Sequence, residues 1–444
     1  MRRMRRSVIC GIAAALAMLA GACTDGGGSD SEPTPLTTMS QRPEPADALS
    51  VIWSTPPSDE IGATDQLRVD SGLVMARYGA DGIIAYAADS GKEAWRLLLP
   101  DGGKPCAPPS PANEAGLAAV VFGKPGTDGH NWCSRVGVVD VRAGTLLWHT
   151  DFSGEMRYKT DIRASIGRSV LTVQLQCGDL RRFDARTSQA LPTFLTPDRA
   201  CAHSAGHNGR HVAVVNAPDD GTPEVAPGWK PIGPDATAEF ALYDSETGAK
   251  LWGHPMNRRG LKVFAVVSSD PLVVDMEIES VRKFRVFDDQ GHEVRTLGGE
   301  MTPSVPPPFN EQVVDGVWVQ DVQLRSSPAA GLPAYDLATG RDLPGLPAGA
   351  AQGNERVVGI SQGRLVLVRN EVTQDPLTKA VTGVAMRVVA HDLHTGEGKD
   401  VGQVYSGSFE KESIFQVVYA RGDLLFVWAS ADSHGQLVTL RIPG

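Results

Sequence analysis

Three groups of residues in this 444-residue chain could do chemistry. Gly359-Ile-Ser-Gln-Gly363 fits the Gly-x-Ser-x-Gly pattern, in which a strand-to-helix elbow exposes a nucleophilic serine. Here the motif lies between two apolar runs, 356–359 and 364–368, so it reads as a β-turn and Ser361 as a turn residue. His203, His207 and His211 are spaced four apart and would align on a helix, but Gly206, Asn208 and Gly209 disfavour one. On a strand that spacing separates successive imidazoles by ~13 Å, too far to share a metal. Turn and surface histidines are expected, and no metal. The third group is Cys106, Cys133, Cys177 and Cys201, an even set with no Cys-x-x-Cys spacing. That pattern favours two disulfides in an oxidising compartment over a zinc site.

The amino terminus indicates such a compartment. Arg2, Arg3, Arg5 and Arg6 make a basic region, and 8–20 is a short apolar run. Residues 1–22 therefore read as a signal peptide, too short to remain as a membrane span. Arg5-Arg6 also loosely fits a twin-arginine signal, so the export route stays open. The run ends Leu19-Ala-Gly-Ala-Cys23, which resembles a bacterial lipobox with Ala20 in place of the commoner leucine. Cys23 is the expected lipidation site, the alternative being plain cleavage after Ala22. Residues 23–45, rich in Gly, Ser, Pro and Asp, form the expected flexible tether. The resulting location is outside the cytoplasm, with the lipid holding the chain to the outer face of the cytoplasmic membrane.

The elements that must follow are set by a repeat. An alternating apolar strand ends in Asp, a polar turn with Gly follows, and a second strand often carries Trp. The clearest copies hold Asp89 with Trp95; Asp140 with Gly144 and Trp148; and Asp244 with Thr247, Gly248 and Trp252. Weaker copies hold Asp184, Asp288, Asp336 with Gly340, and Asp392 with Gly396. Asp accepts hydrogen bonds from amides two or three residues on, and Gly supplies the positive φ of a tight hairpin. The Trp offers an apolar face for packing between neighbouring sheets. Two further strand-like runs precede each phrase, and four short strands per 40–50 residues describe a propeller blade. The chain ends three strands into a last blade, and residues 49–54 match the missing fourth strand. The expectation is all-β: an eight-bladed β-propeller over 46–444, its ring closed by an N-terminal strand in the last blade.

The phrase resembles the quinoprotein-like (PQQ-like) repeat, whose Asp-x-x-Thr-Gly-x-x-x-Trp core is matched at every position by Asp244, Thr247, Gly248 and Trp252. Within that family, lipoproteins of the BamB type use the fold to hold protein partners. The resemblance therefore implies a non-catalytic binding or scaffold propeller for an envelope or membrane protein, without a cofactor. The alternative is a quinone-linked dehydrogenase with PQQ and calcium, or another propeller enzyme. Such quinone enzymes usually carry adjacent cysteines, and none occur here.

The longest connections fall at 123–134, 216–238, 325–332 and 370–385, each between a second and a third strand and so on one face of the ring. Insertions gathered on one face commonly mark a binding face. Trp132, Trp229 and Lys230 lie in these loops, and Arg258 and Arg259 on a crossing of the same face. They are the candidate interface anchors, the alternative being that each Trp packs its own loop. All four cysteines fall on that face too. Pairing neighbouring segments gives Cys106 with Cys133 and Cys177 with Cys201. The net charge is −10, and more negative without the leader arginines, with no basic stripe. That excludes nucleic acid as the expected partner. A monomer is assumed.

Overall fold

The computed structural model describes residues 49–56, 58, 68–79, 82–125, 131–153, 162–175, 179–194, 204–216, 238–256, 261–279, 281–301, 312–314, 316–319, 332–346, 355–374, 381–405, 414–431 and 434–443. They form an all-β, eight-bladed propeller of eight four-stranded antiparallel sheets. The strand β1 is Val51–Ser54. The first sheet is β2 (Arg68–Asp70), β3 (Leu73–Tyr78), β4 (Gly82–Ala87) and β5 (Glu93–Leu98). The second is β6 (Lys104–Pro105), β7 (Leu117–Pro125), β8 (Asn131–Asp140) and β9 (Thr145–Asp151). The third is β10 (Arg163–Ile166), β11 (Val170–Gln174), β12 (Leu180–Asp184) and β13 (Ala190–Leu191). The fourth is β14 (Ser204–His207), β15 (His211–Asn216), β16 (Ala238–Asp244) and β17 (Lys250–Met256). The fifth is β18 (Lys262–Ser269), β19 (Leu272–Ile278), β20 (Val281–Phe287) and β21 (Glu293–Met301). The sixth is β22 (Gln312–Val314), β23 (Val317–Val319), β24 (Leu332–Asp336) and β25 (Arg341–Leu346). The seventh is β26 (Glu355–Ser361), β27 (Arg364–Gln374), β28 (Val381–Asp392) and β29 (Gly398–Tyr405). The eighth is β30 (Ile414–Arg421), β31 (Leu424–Ala431) and β32 (His434–Arg441), and β1 is its fourth strand, with Trp53 opposite Thr439.

Burial follows from position in the blade. Every residue of β15 is buried, and so is all of β4 except Ala87, because a middle strand has another sheet against each face. The fourth strand β9 instead alternates between exposed and half-buried residues. The first strands of successive sheets touch one another at β14 with β18, β22 with β26 and β26 with β30, and so crowd the middle of the ring. The core is a set of apolar clusters, each shared by two neighbouring sheets; Met75, Ile83 and Trp95 of the first sheet meet Val120, Phe122 and Val139 of the second.

The repeat phrase builds both the turns and the seams. In the Asp140 turn, Oδ1 accepts from the amides of Arg142 (3.0 Å) and Ala143 (3.1 Å), while Gly144 N donates to Asp140 O. Asp184, Asp244, Asp288, Asp336 and Asp392 cap their turns in the same way. Backbone donors hold the carboxyls of Asp184, Asp288, Asp336 and Asp392 below their ordinary range. Asp89 is an exception. The four-residue spacing to Gly91 places Ala87 at the capping position, and Gly91 N donates to Ala87 O. Asp89 is therefore a turn residue that does not cap.

Each seam tryptophan reaches into the next blade. Trp53 Nε1 donates to Ala88 O (2.9 Å), Trp95 Nε1 to Val141 O (2.7 Å) and Trp148 Nε1 to Ala185 O (2.8 Å). A Cβ at Gly144 would overlap the Trp95 ring, and one at Gly291 would lie 2.6 Å from Trp252 Cδ2. The repeat glycine thus serves twice, supplying a positive φ and making room for the indole of the preceding blade. Where the Trp is missing, arginine supplies the donors. Arg182 of the third sheet donates to Ser245 O (3.1 Å) and Glu246 O (2.6 Å) of the fourth. Arg295, at the tryptophan position of the fifth, donates to Gly340 O (3.0 Å) and lies over the Tyr335 ring.

Two of the long connections are shorter than the sequence suggests, because their strands run on. The β7–β8 pairing continues to Pro125 and Asn131, so Trp132 stands in a strand, with its backbone opposite Lys124. The β27–β28 pairing continues to Gln374 and Val381. The runs 217–237 and 320–331 lie outside the described residues.

Candidate functional site

Cys106 and Cys133 form a disulfide with Cα atoms 6.0 Å apart. It joins the segment just past β6 to β8, across β7 of the same blade, instead of joining two loops. It closes a separation of 27 residues. The double variant Cys106→Ser with Cys133→Ser is expected to lose about 2–4 kcal/mol of stability. Urea unfolding of the oxidised protein and the variant measures this, and equal midpoints would refute it. Cys177 and Cys201 lie outside the described residues, as do Cys23, Trp229, Lys230, Arg258 and Arg259.

The serine motif is structural. Ser361 ends β26 and is buried, and its hydroxyl donates to Gly422 O in the next blade. Gly359 has φ 154°, and a Cβ there would collide with Ala420 O. Both glycine and serine are therefore used in the seam between the seventh and eighth sheets.

The described histidines stand at a turn, as the sequence indicates, but not at the surface. His203 lies outside the described residues, while His207 and His211 flank the β14–β15 turn. Neither is a surface group: His211 is buried, and burial, followed by the charge of Arg163, lowers the His207 pKa to about 4. The cause is the ring geometry, which sets a first-strand residue against its neighbouring blades. Among the described residues no three His, Cys, Asp or Glu side chains gather to hold a metal ion.

His207 belongs to a polar cluster at the first strands that composition and motifs did not reveal. Ser165 of β10 lies 2.5 Å from His207 Nδ1. Arg163, two residues earlier on the same face of β10, spans to β18 and donates to Phe264 O (2.9 Å). Beside it, Asp275 of β19 and Arg282 of β20 form a buried ion pair, through Nε at 2.8 Å and through Nη2. The Arg282 guanidinium lies 4.0 Å from the centre of the Phe264 ring. Burial raises the Asp275 carboxyl pKa, and the bonds and charge of Arg282 pull it back. Arg163 is lowered first by desolvation and then by the charge of Arg282. One signal was available in the sequence: Asp275 and Glu277 interrupt the apolar run 272–278, and Arg282 falls opposite Glu277 and diagonal to Asp275 on the paired strand.

Residues 46–216, which run from before β1 to the end of β15, match the family described as outer membrane protein assembly factor BamB. No curated protein matches the chain in sequence. Among solved structures, the computationally designed Ika8 protein aligns with TM-score 0.50 at 12% identity, covering 88% of this chain and 99% of its own. BamB from Moraxella catarrhalis aligns with TM-score 0.48 at 12% identity, covering 89% and 98%. The Neurospora crassa Pan2 WD40 domain aligns with TM-score 0.42 at 8% identity, covering 90% and 99%. No helix among the described residues is long and apolar enough to cross a membrane. The chain is an eight-bladed β-propeller that matches, over residues 46–216, the family described as outer membrane protein assembly factor BamB.

Proposed function

We propose that this chain is an exported lipoprotein, anchored through Cys23 to the outer face of the cytoplasmic membrane. In this reading residues 1–22 are the signal peptide, 23–45 the tether and 46–444 the binding propeller, acting as a monomer. It holds an envelope protein without catalysing a reaction and without a cofactor, and the face of the second-to-third-strand connections is the docking face. The observation that carries this reading is how the repeat residues are used. The aspartates that might have served as bases cap turns, and Trp95 and Trp148 close seams, so the repeat is committed to building a scaffold. The match of residues 46–216 to an assembly-factor family supports the same reading.

Cross-linking of the tagged full-length chain in native membranes, read by mass spectrometry, tests it. One stoichiometric envelope protein is expected, with capture reduced at least about tenfold by Trp229→Ala combined with Arg258→Ala, since interface anchors commonly contribute 2 kcal/mol or more. Cys23→Ala should move the chain out of the membrane fraction. Capture of nothing above background, or capture untouched by the paired variant, would refute the docking face. Saturable binding of quinone with calcium would favour the dehydrogenase instead.

A further inference from the structure

The polar cluster at the first strands of the third, fourth and fifth sheets has more positive charge than it neutralises. Arg163 and Arg282 contribute two guanidiniums; of the nearby carboxylates, Asp275 is bound by Arg282 through both oxygens and Glu277 is paired with Lys262. Arg163 makes no ion pair among the described residues; it donates to a neutral acceptor, Phe264 O. The side chain is nonetheless reachable by solvent. The guanidinium is thus exposed to solvent on one side and crowded by protein on the other, which lowers its pKa.

The backbone around it is built for close approach. Gly206 of β14 faces β18, and a Cβ there would lie 2.6 Å from Ala265 Cα. Without that side chain the strands close up, and Arg163 can span from β10 to Phe264 on β18. Ser165 shares the face of Arg163, and its hydroxyl meets His207 Nδ1. The imidazole is neutral near pH 7, because its pKa is about 4. In either tautomer this pair leaves one donor over. If Nδ1 accepts from the serine, Nε2 carries a proton; if Nδ1 donates, the serine hydroxyl is free to donate elsewhere. His207 Nε2 is buried and without a hydrogen-bond partner. A guanidinium with unused N–H groups next to a neutral donor is the arrangement that recognises an oxyanion.

We propose that Arg163, Ser165 and His207 form an oxyanion-binding site where β10, β14 and β18 meet, taking the carboxylate or phosphate group of a ligand. Arg163 supplies the charge and a two-pronged contact, and the Ser165–His207 pair supplies one neutral hydrogen bond. Arg282 is neutralised by Asp275, which leaves Arg163 as the charge the site offers to a ligand. This site does not depend on the docking face or on an envelope partner.

Calorimetric titration of the full-length chain at pH 7 tests it, with sodium phosphate in one arm and sodium acetate in the other, ionic strength being held constant with chloride. Saturable binding of one anion per chain is expected in at least one arm. Phosphate alone would assign a phosphate group, acetate alone a carboxylate, and both a general oxyanion site. Arg163→Gln should weaken binding about tenfold or more, in line with the loss of charge-assisted hydrogen bonds. Arg142→Gln, on the exposed turn of the second sheet, should leave it unchanged. Failure of both anions to saturate, or equal affinity in Arg163→Gln, would overturn the site. Circular dichroism and thermal melts establish that the variant folds. If it does not, Arg163→Lys replaces it and is expected to weaken binding severalfold through loss of the guanidinium fork. Unchanged affinity in that variant would equally overturn the site.

Discussion

Replacing Trp95 by alanine is expected to destabilise the propeller by about 3–5 kcal/mol. The indole is buried at the seam between the first and second sheets, in the cluster with Met75, Phe122 and Val139. Its Nε1 donates to Val141 O at 2.7 Å, so truncation leaves both a cavity and an unpaired buried carbonyl. Trp95→Phe keeps most of the apolar contact and should cost less, chiefly the hydrogen bond and part of the area. The reverse substitution tests the same contact from the other blade. Gly144 has φ 66°, and any Cβ there meets the Trp95 ring, so Gly144→Ala combines backbone strain with a clash. Urea midpoints at unchanged m-value measure both. A loss below about 1 kcal/mol for Trp95→Ala would mean that this seam does not limit stability.

Asp275→Ala is expected to cost about 3–5 kcal/mol, because it removes the carboxylate bonded to the buried Arg282 guanidinium beside the charge of Arg163. The pair itself need not be a net source of stability. Both side chains are nearly dehydrated, and burial raises the Asp275 pKa even with Arg282 bonded to it. The double variant Asp275→Leu with Arg282→Met should therefore recover most of the loss. Recovery would separate the cost of an orphaned charge from the worth of the ion pair. If the double variant is as unstable as the single one, the pair is a positive contributor and that account is wrong. Chemical unfolding of the wild type, the single variant and the double variant decides between them.

Several features were readable in sequence because they are local. The capping aspartates act on amides two to four residues away, and their glycines on their own φ, so the phrase that specifies the turn is contiguous. Asp89 shows the limit of this reading. It stands two residues too close to its glycine, and the turn, counted back from Gly91, uses Ala87, a backbone acceptor with no side-chain role. The trace of the repeat also misjudged the 123–134 and 370–385 connections, since strand pairing continued through residues that read as loop. Pairing is a property of two segments, and each one alone gives a weak signal.

What the sequence by itself determined is the repeat unit: strand alternation, turn chemistry, the tryptophan positions and, from these, the eight-bladed propeller. Each depends on residues within one blade or on periodicity along the chain. The tertiary structure alone decided what meets across blades. Arg182 and Arg295 take over seams that lack a tryptophan, Ser361 is spent on Gly422, and His207 is driven neutral beside Arg163. Such contacts join residues such as Arg163 and Phe264, 101 positions apart, and depend on the angle at which one sheet presents its first strand to the next. Burial and proximity to charge are likewise set by the ring as a whole, which is why a polar cluster at its centre left little trace in residue spacing.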